Sequence, residues 1–231
     1  MIQGHISISS SSDHDNLRQL LKRREFGRFS DSGFKGSSGL NDVLQELAAP
    51  ALSYKVKRIE FIEAGTVHLE GGICFKSPIL AKVLEHCDTL ILFIATIGSA
   101  LEEEAARLNE DNRLTRAYVL DRLGSLTAEH VVNAFYENMK HRYAQKGYGV
   151  TLRFSPGYCD WPITEQRKLM RLVDAKTIGV TMKASCLMHP RKSVSGVFGL
   201  FPQAVNGKKP VYNPCGHCGK KDCNARRHCV A

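Results

Sequence analysis

The chain lacks the features that mark several common protein classes. Its apolar runs stay well short of the roughly 18 residues that a membrane span requires, so we expect no membrane contact. The start, MIQGHISISSSSDHD, has neither the basic beginning nor the apolar segment of a signal peptide, which predicts a cytoplasmic protein. No G-x-G-x-x-G motif follows a predicted strand, and the C-x-x-x-C-x-x-C motif is absent. These absences argue against a Rossmann-type methyltransferase and against a radical enzyme.

Composition describes an ordinary globular protein with a basic end. The chain has 231 residues, of which 43% are apolar and 24% are charged, as expected for one domain, or one domain with appendages. The net charge is +9, and residues 207–231 hold six Lys or Arg and one Asp. No aromatic residue lies between the Lys-Lys pair at 220–221 and the Arg-Arg pair at 226–227. We therefore do not expect nucleic acid as a partner. The charge can equally offset bound thiolates or contact an acidic protein.

Half of the eight cysteines lie close together in the tail. They follow the spacing C-x2-C-x4-C-x5-C at Cys215, Cys218, Cys223 and Cys229. In a cytoplasmic chain such a cluster favours a metal over disulfides. Four thiolates suit an iron–sulfur cluster or a structural zinc, with His217 and His228 as substitute ligands. Reduced thiols on a tail without metal are the alternative.

The pattern of elements predicts an α+β fold with a twisted antiparallel sheet flanked by helices, because strands and helices mix without strict βαβ alternation. We expect a flexible segment at 1–40, one folded domain at 41–206 and the cysteine-rich tail at 207–231. The predicted helices are 41–47, 77–86, 99 onward, 113–145 and 164–174. The predicted strands are 56–75 with breaks at 64–65 and 71–72, then 89–96, 148–154, 180–187 and 193–200, the last two joined by a turn at 189–192.

Local patterns add detail to three of these elements. Ser99 and Glu102 have the spacing of a capping box at the start of a helix. The long helix carries apolar residues at helical spacing, namely Leu114, Tyr118, Leu123, Leu126, Val131, Phe135 and Met139. Cys186 alternates with apolar residues on the predicted strand 180–187, which favours a small core residue over a metal ligand.

The stretch RFSPGYCDWP, residues 153–162, has more chemistry than a turn requires. Arg153 provides a planar donor fork suited to a carboxylate. Pro156 fixes one backbone angle, Gly157 permits a tight turn and close approach to a ligand, and Tyr158 offers a flat ring. These residues suit a ligand that carries an amino-acid carboxylate and a heterocycle. A structural turn with Arg153 in a surface ion pair is the alternative.

This stretch resembles the R-x-x-x-G-Y motif of the reactivation domain of cobalamin-dependent methionine synthase. Further blocks match in order: LDRLGSLTAE before the motif, a helix that begins Thr-Glu after it, and SVSG after a turn with proline. The resemblance covers about Leu90 to Pro202. It implies that Arg153 holds the carboxylate of S-adenosylmethionine and that Ser155, Gly157 and Tyr158 contact its adenine. It also implies that Asp121 receives the histidine displaced from cobalt in a neighbouring corrinoid domain.

The chain departs from the family at several places. A family glutamate on the long helix is replaced by Ser125, although Glu129 lies one turn further and can share its face. A family tyrosine that follows the proline at position 202 has no counterpart in that neighbourhood. The D-x-H-x-x-G signature of cobalamin binding is absent, so any corrinoid must be carried by a partner protein.

Two functions follow from these observations. In the first, the chain binds S-adenosylmethionine, docks on a corrinoid protein or cobalamin-dependent methyltransferase, and supports reductive methylation of cob(II)alamin. It is then a component of a methyltransferase system, with the electron supplied by an external donor or by a centre in its own tail. In the second, it is a non-catalytic, metal-bearing adaptor or a sensor of S-adenosylmethionine.

Overall fold

The computed structural model of the chain describes residues 40–203 and 212–216. Its helices are α1 Leu40–Leu47, α2 Pro78–Val83, α3 Ala100–Glu110, α4 Leu114–Ala144 and α5 Gln166–Leu172. Its strands are β1 Ala51–Glu63, β2 Thr66–Leu69, β3 Ile73–Lys76, β4 Thr89–Thr96, β5 Tyr148–Val150, β6 Thr181–Met182, β7 Met188–His189 and β8 Ser193–Pro202. Short 3-10 helices lie at Ile163–Glu165, Ala175–Ile178 and Pro214–Gly216. None of these described helices combines the length and the apolar character of a membrane span.

Contacts between Cα atoms divide the described chain into two compact units. The first comprises 40–54, 94–137 and 173–194, and the second comprises 55–93, 138–172, 195–203 and 212–216. The RFSPGYCDWP stretch belongs to the second unit, whereas Asp121 and Glu129 belong to the first. The predicted segment 1–40 lies outside the described residues except for its last one, as does most of the tail, so the predicted domain boundaries stay predictions.

The predicted α+β fold with an antiparallel sheet is confirmed. Six strands form one sheet in the order β3-β2-β1-β4-β8-β5, and β6 with β7 forms a second sheet of two strands. The pairs β1–β2, β2–β3 and β5–β8 are antiparallel. Strand β4 is buried from Leu90 to Thr96, which explains why its sequence is a continuous apolar run rather than an alternating one.

The two breaks predicted in the first strand region are confirmed as turns. Ala64 and Gly65 have φ angles of 47° and 75°, and Gly71 and Gly72 have φ angles of 89° and 77°. Residues 64–65 form a two-residue hairpin loop, in which positive φ at both positions matches the twist of the strands, and residues 70–72 form a three-residue loop between Leu69 and Ile73. Glycine adopts positive φ without strain. The chain therefore reverses at both places and produces β1, β2 and β3.

The long helix is confirmed, but its apolar residues do not form one buried stripe. Leu114, Tyr118 and Leu126 are exposed, at 59%, 63% and 36%. Leu123 and Val131 are buried. Leu114 and Leu123 are nine residues apart, about two and a half helical turns, so they lie on opposite sides of α4.

The predicted capping box at the start of α3 is wrong. Ser99 has helical backbone angles, φ −93° and ψ −22°, and makes no side-chain capping bond. The Glu102 carboxylate instead accepts a hydrogen bond from the backbone amide of Lys192 at 2.7 Å, and its other oxygen lies 3.3 Å from the guanidinium of Arg191. The Glu102 carboxylate therefore makes a tertiary contact instead of the capping contact that the local pattern predicted.

The predicted strand 180–187 is also wrong. Only Thr181–Met182 pair with Met188–His189, and the chain between them forms a turn in which the Lys183 amide donates to the Leu187 carbonyl at 2.9 Å. Cys186 lies in this turn with a φ angle of 66°. It is 3% exposed, which confirms the prediction that Cys186 is a small core residue, although it does not lie on a strand.

Candidate functional site

Residues 153–162, which we call the Arg153 loop, form a closed turn at the edge of β8. Phe154 and Val197 exchange two backbone hydrogen bonds of 2.8 Å each, and this bridge fixes where the loop leaves the sheet. The Tyr158 amide then donates to the Ser155 carbonyl at 3.2 Å. The Trp161 amide donates to the Tyr158 carbonyl at 3.0 Å. The loop therefore has a defined backbone shape of its own.

Gly157 is required by the backbone of this turn. Its φ angle is +91°, in the left-handed region that L side chains rarely adopt, and its amide donates to the Trp161 carbonyl at 2.8 Å. A Cβ atom at this position would lie 3.3 Å from the Cδ1 of Ile163. The glycine predicted from the Pro-Gly step is thus necessary for the conformation that closes the loop.

Trp161 anchors the end of the Arg153 loop in the core. Its side chain is 1% exposed, and its ring stacks on Phe154 with centroids 5.8 Å apart and planes at 11°. The ring of Phe75 meets it edge to face, with centroids 5.3 Å apart. Its indole nitrogen has no hydrogen-bond partner among the described residues, so the side chain acts here through packing.

The sequence blocks of the second unit meet around this loop. Gly196, in the SVSG block, lies so close that a Cβ atom there would come within 2.9 Å of Ser155 Oγ and 3.1 Å of the Phe154 carbonyl oxygen. The hydroxyl of Ser195 donates to the amide oxygen of Gln166 at 3.2 Å, and both side chains are buried. The SVSG block thus contacts both the Arg153 loop and the helix that follows it. The roles of Gly196 and Gln166 were not predicted from sequence.

The candidate ligand residues of the Arg153 loop differ in exposure. Arg153 and Ser155 are half-buried, Gly157 is exposed, and Tyr158 is 50% exposed. The amides of Gly157 and Tyr158 are both used within the turn. A guanidinium, a hydroxyl and an aromatic ring therefore lie within one short, ordered segment.

Asp121 belongs to a polar cluster in the first unit. Its Oδ1 lies 2.7 Å from Lys192 Nζ and 3.6 Å from the guanidinium of Arg191, and its side chain is 41% exposed. Lys192 Nζ also donates to the hydroxyl of Ser125 at 2.8 Å. Ser125, the serine predicted to replace a family glutamate, is thus bonded to a lysine. Glu129, one turn further along α4, is exposed.

Only the beginning of the predicted metal cluster falls within the described residues. Cys215 lies in the 3-10 helix Pro214–Gly216, and its amide donates to Asn213 Oδ1 at 3.0 Å. Lys82 Nζ, on α2, lies 4.9 Å from the ring centroid of Tyr212. This cation–π contact joins the segment 212–216 to α2. The other three cysteines of the cluster, Cys218, Cys223 and Cys229, are outside the described residues. Within 40–203 and 212–216, no three His, Cys, Asp or Glu side chains come together as a metal site.

Comparisons with known proteins agree with this architecture. The family model described as "Vitamin B12 dependent methionine synthase, activation domain" matches residues 68–225. A search among curated proteins gives no match. Among solved structures, the MetH reactivation domain bound to AdoHcy superposes with a TM-score of 0.59 at 16% identity, over 84% of this chain and 71% of that one. That likeness establishes the shared fold. Because the family model spans more than half of the chain, the chain belongs to the family of vitamin B12-dependent methionine synthase activation domains.

Proposed function

We propose that the chain binds S-adenosylmethionine at the Arg153 loop and supports reductive methylation of cob(II)alamin on a partner corrinoid methyltransferase. The observation that carries this proposal is the closed Arg153 loop, with Gly157 at φ +91°, inside the segment matched by the family model. The structural relative bound to AdoHcy, the demethylated form of the same ligand, supports the choice of ligand. The absence of a D-x-H-x-x-G motif supports the assignment of the corrinoid to a partner.

The proposed ligand contacts follow from the chemistry of the loop. The guanidinium of Arg153 pairs with the carboxylate of the methionine part through charge-assisted hydrogen bonds. Ser155, Gly157 and Tyr158 contact the adenosine part. Gly157 leaves room for it, and the ring of Tyr158 offers it a flat surface. Glu129 stays a further predicted ligand contact, on the ground of its position one turn after Ser125 on α4. S-adenosylmethionine, when bound, supplies an electrophilic methyl group, and the residues of this chain hold it in one orientation.

Titration of the wild-type chain with S-adenosylmethionine and with S-adenosylhomocysteine tests the binding claim. Calorimetry should detect saturable binding of both compounds, because they share the carboxylate and the adenosine. A wild-type chain that binds neither would remove the cofactor assignment. A reconstituted assay with a corrinoid protein, a reductant and S-adenosylmethionine then tests the reaction, and formation of methylcobalamin should depend on this chain.

A second candidate function is a sensor of S-adenosylmethionine that docks without methyl transfer. The polar cluster of the first unit favours it, since Asp121 is already paired with Lys192 at 2.7 Å and Ser125 occupies the place of the family glutamate. A sensor would bind the ligand and the partner but leave the rate of methylcobalamin formation unchanged. The reconstituted assay therefore separates the two functions.

We predict that Asp121→Ala slows the reactivation of the corrinoid partner while ligand affinity is retained. The proposed role of Asp121 is to receive the partner's displaced histidine, for which its pairing with Lys192 would have to be exchanged. The measurement is the rate of methylcobalamin formation, with Asp111→Ala as control, because Asp111 is also a paired surface carboxylate on the first unit. Equal rates for wild type and Asp121→Ala would contradict the proposed contact.

We predict that the tail binds one metal centre through Cys215, Cys218, Cys223 and Cys229. The C-x2-C-x4-C-x5-C spacing supports this proposal, and an iron–sulfur cluster would provide an internal source of the electron. Anaerobic purification with metal analysis and a visible spectrum distinguishes the centres. Iron, sulfide and absorbance at about 400 nm indicate an iron–sulfur cluster. One zinc in a colourless protein indicates a structural site, so the electron would come from an external donor. Neither metal after anaerobic reconstitution would refute the prediction.

A further inference from the structure

Asp160 ties the Arg153 loop to the beginning of α2. Its Oδ1 accepts a hydrogen bond from Ser77 Oγ at 2.5 Å, and its Oδ2 accepts one from the backbone amide of Ile79 at 3.0 Å. Ser77 is fully buried, and its hydroxyl also accepts a hydrogen bond from the amide of Leu80 at 3.0 Å. Both carboxylate oxygens of Asp160 are thus bonded to a segment more than 80 residues earlier in the chain.

The position of Asp160 within the loop makes this tie relevant to the ligand contacts. The Gly157 amide donates to the Trp161 carbonyl, and the Trp161 amide donates to the Tyr158 carbonyl. Asp160 therefore lies inside the ring of backbone bonds that shapes Gly157 and Tyr158. A displacement of Asp160 away from α2 would move these two residues as well.

Two other contacts hold the two ends of the loop. The bridge between Phe154 and Val197 fixes only the entry of the loop, and Trp161 fixes its exit by packing without a hydrogen bond from its indole nitrogen among the described residues. Packing of a flat ring allows sliding, whereas two directed hydrogen bonds to one carboxylate determine position. The carboxylate of Asp160 thus supplies directional contacts next to the turn.

We propose that Asp160 is a positioning residue that holds Gly157 and Tyr158 in the binding arrangement before the ligand arrives. The inference rests on the proposed function, because its ligand is S-adenosylmethionine at this loop. Order that exists before binding raises affinity, since less conformational entropy is lost when the complex forms. Asp160 itself need not touch the ligand.

The test compares Asp160→Ala and Asp160→Asn with a matched control, Lys168→Met. Lys168 makes a comparable long-range contact outside the loop: it lies on α5, and its Nζ donates to the Cys74 carbonyl on β3 at 2.9 Å and pairs with Glu165 at 2.8 Å. Four quantities are measured for each variant: the thermal midpoint, the two dissociation constants of S-adenosylmethionine and 5′-methylthioadenosine, and the emission of the chain's single tryptophan, Trp161. Circular dichroism verifies that each variant is folded at the measuring temperature.

We expect Asp160→Ala to raise the dissociation constants of both ligands about tenfold, because the loop shapes the adenosine site that they share. Trp161 emission should move to longer wavelength in the ligand-free variant and return when ligand saturates it. Asp160→Asn should give a smaller loss, since its amide oxygen still accepts a hydrogen bond from Ile79. Lys168→Met should lower only the thermal midpoint.

Each contrary result has a distinct meaning. Wild-type affinity in Asp160→Ala would overturn the positioning role and leave the proposed function intact. Equal losses in Asp160→Ala and Lys168→Met would also overturn it, because they indicate general destabilisation. A wild-type chain that binds neither ligand would refute the proposed function. In that case, unchanged Trp161 emission in Asp160→Ala would refute the positioning of the loop too. If Asp160→Ala fails to fold, Ser77→Ala removes one of the two contacts and takes its place.

Discussion

Arg153→Ala is expected to weaken the binding of S-adenosylmethionine by about 1.5–3 kcal/mol, the scale of a hydrogen bond to a charged group. This corresponds to a dissociation constant about ten to 150 times higher. The reason is the loss of the planar donor fork that the loop presents beside the bridge of Phe154 and Val197. Calorimetric titration of wild type and variant measures the difference directly.

Two controls show whether the lost contact is to the carboxylate. 5′-Methylthioadenosine has the adenosine part but no carboxylate, so Arg153→Ala should bind it as wild type does. Arg171→Ala removes an exposed arginine of the same unit and should leave both affinities unchanged. Equal affinity of wild type and Arg153→Ala for S-adenosylmethionine would remove the anchor role of Arg153.

Trp161→Ala is expected to lower the free energy of unfolding by about 3–5 kcal/mol, as for other truncations of large buried aromatic residues. Trp161 is 1% exposed and packs against Phe154 and Phe75, so alanine leaves a cavity under the Arg153 loop. Urea unfolding followed by circular dichroism measures the loss without relying on tryptophan emission. The midpoint should fall at an unchanged slope if unfolding remains two-state.

Trp161→Phe is the matched variant for this position. A phenylalanine ring keeps part of the stack on Phe154, and the indole nitrogen that it removes has no hydrogen-bond partner among the described residues. We therefore expect a loss of about 1–2 kcal/mol, mainly from reduced volume. A loss in Trp161→Phe as large as in Trp161→Ala would contradict the claim that the side chain acts through packing.

Much of the architecture was predictable because it depends on signals close together in the sequence. The Ala64-Gly65 and Gly71-Gly72 steps predicted two breaks in the strand region, and the backbone has positive φ at all four residues. The apolar run Thr89–Thr96 predicted a buried strand, and the helix pattern after Arg113 predicted α4. The family resemblance rested on ordered blocks, and the family match over 68–225 confirms it.

Two local patterns predicted the wrong structure, one because a distant residue competed for the same group and one because the chain turns locally. Ser99 and Glu102 have the spacing of a capping box, but the carboxylate bonds to the amide of Lys192, 90 residues away. Alternating apolar residues predicted a strand through Cys186, but the chain turns there at a φ angle of 66°. The partner of Glu102 lies too far along the chain to be visible in the local sequence.

By itself, the sequence determined most of the secondary-structure elements, the order of the blocks and the residue types of the Arg153 loop. Short-range steric and hydrophobic preferences are sufficient for these, because each depends on neighbours within a few positions. Only the tertiary structure decided that Asp160 bonds to Ser77 and Ile79, and that Gly196 lies against Ser155. These partners come together when burial of the apolar core brings distant segments into contact, and a hydrogen bond of about 3 Å has no signature until that packing exists.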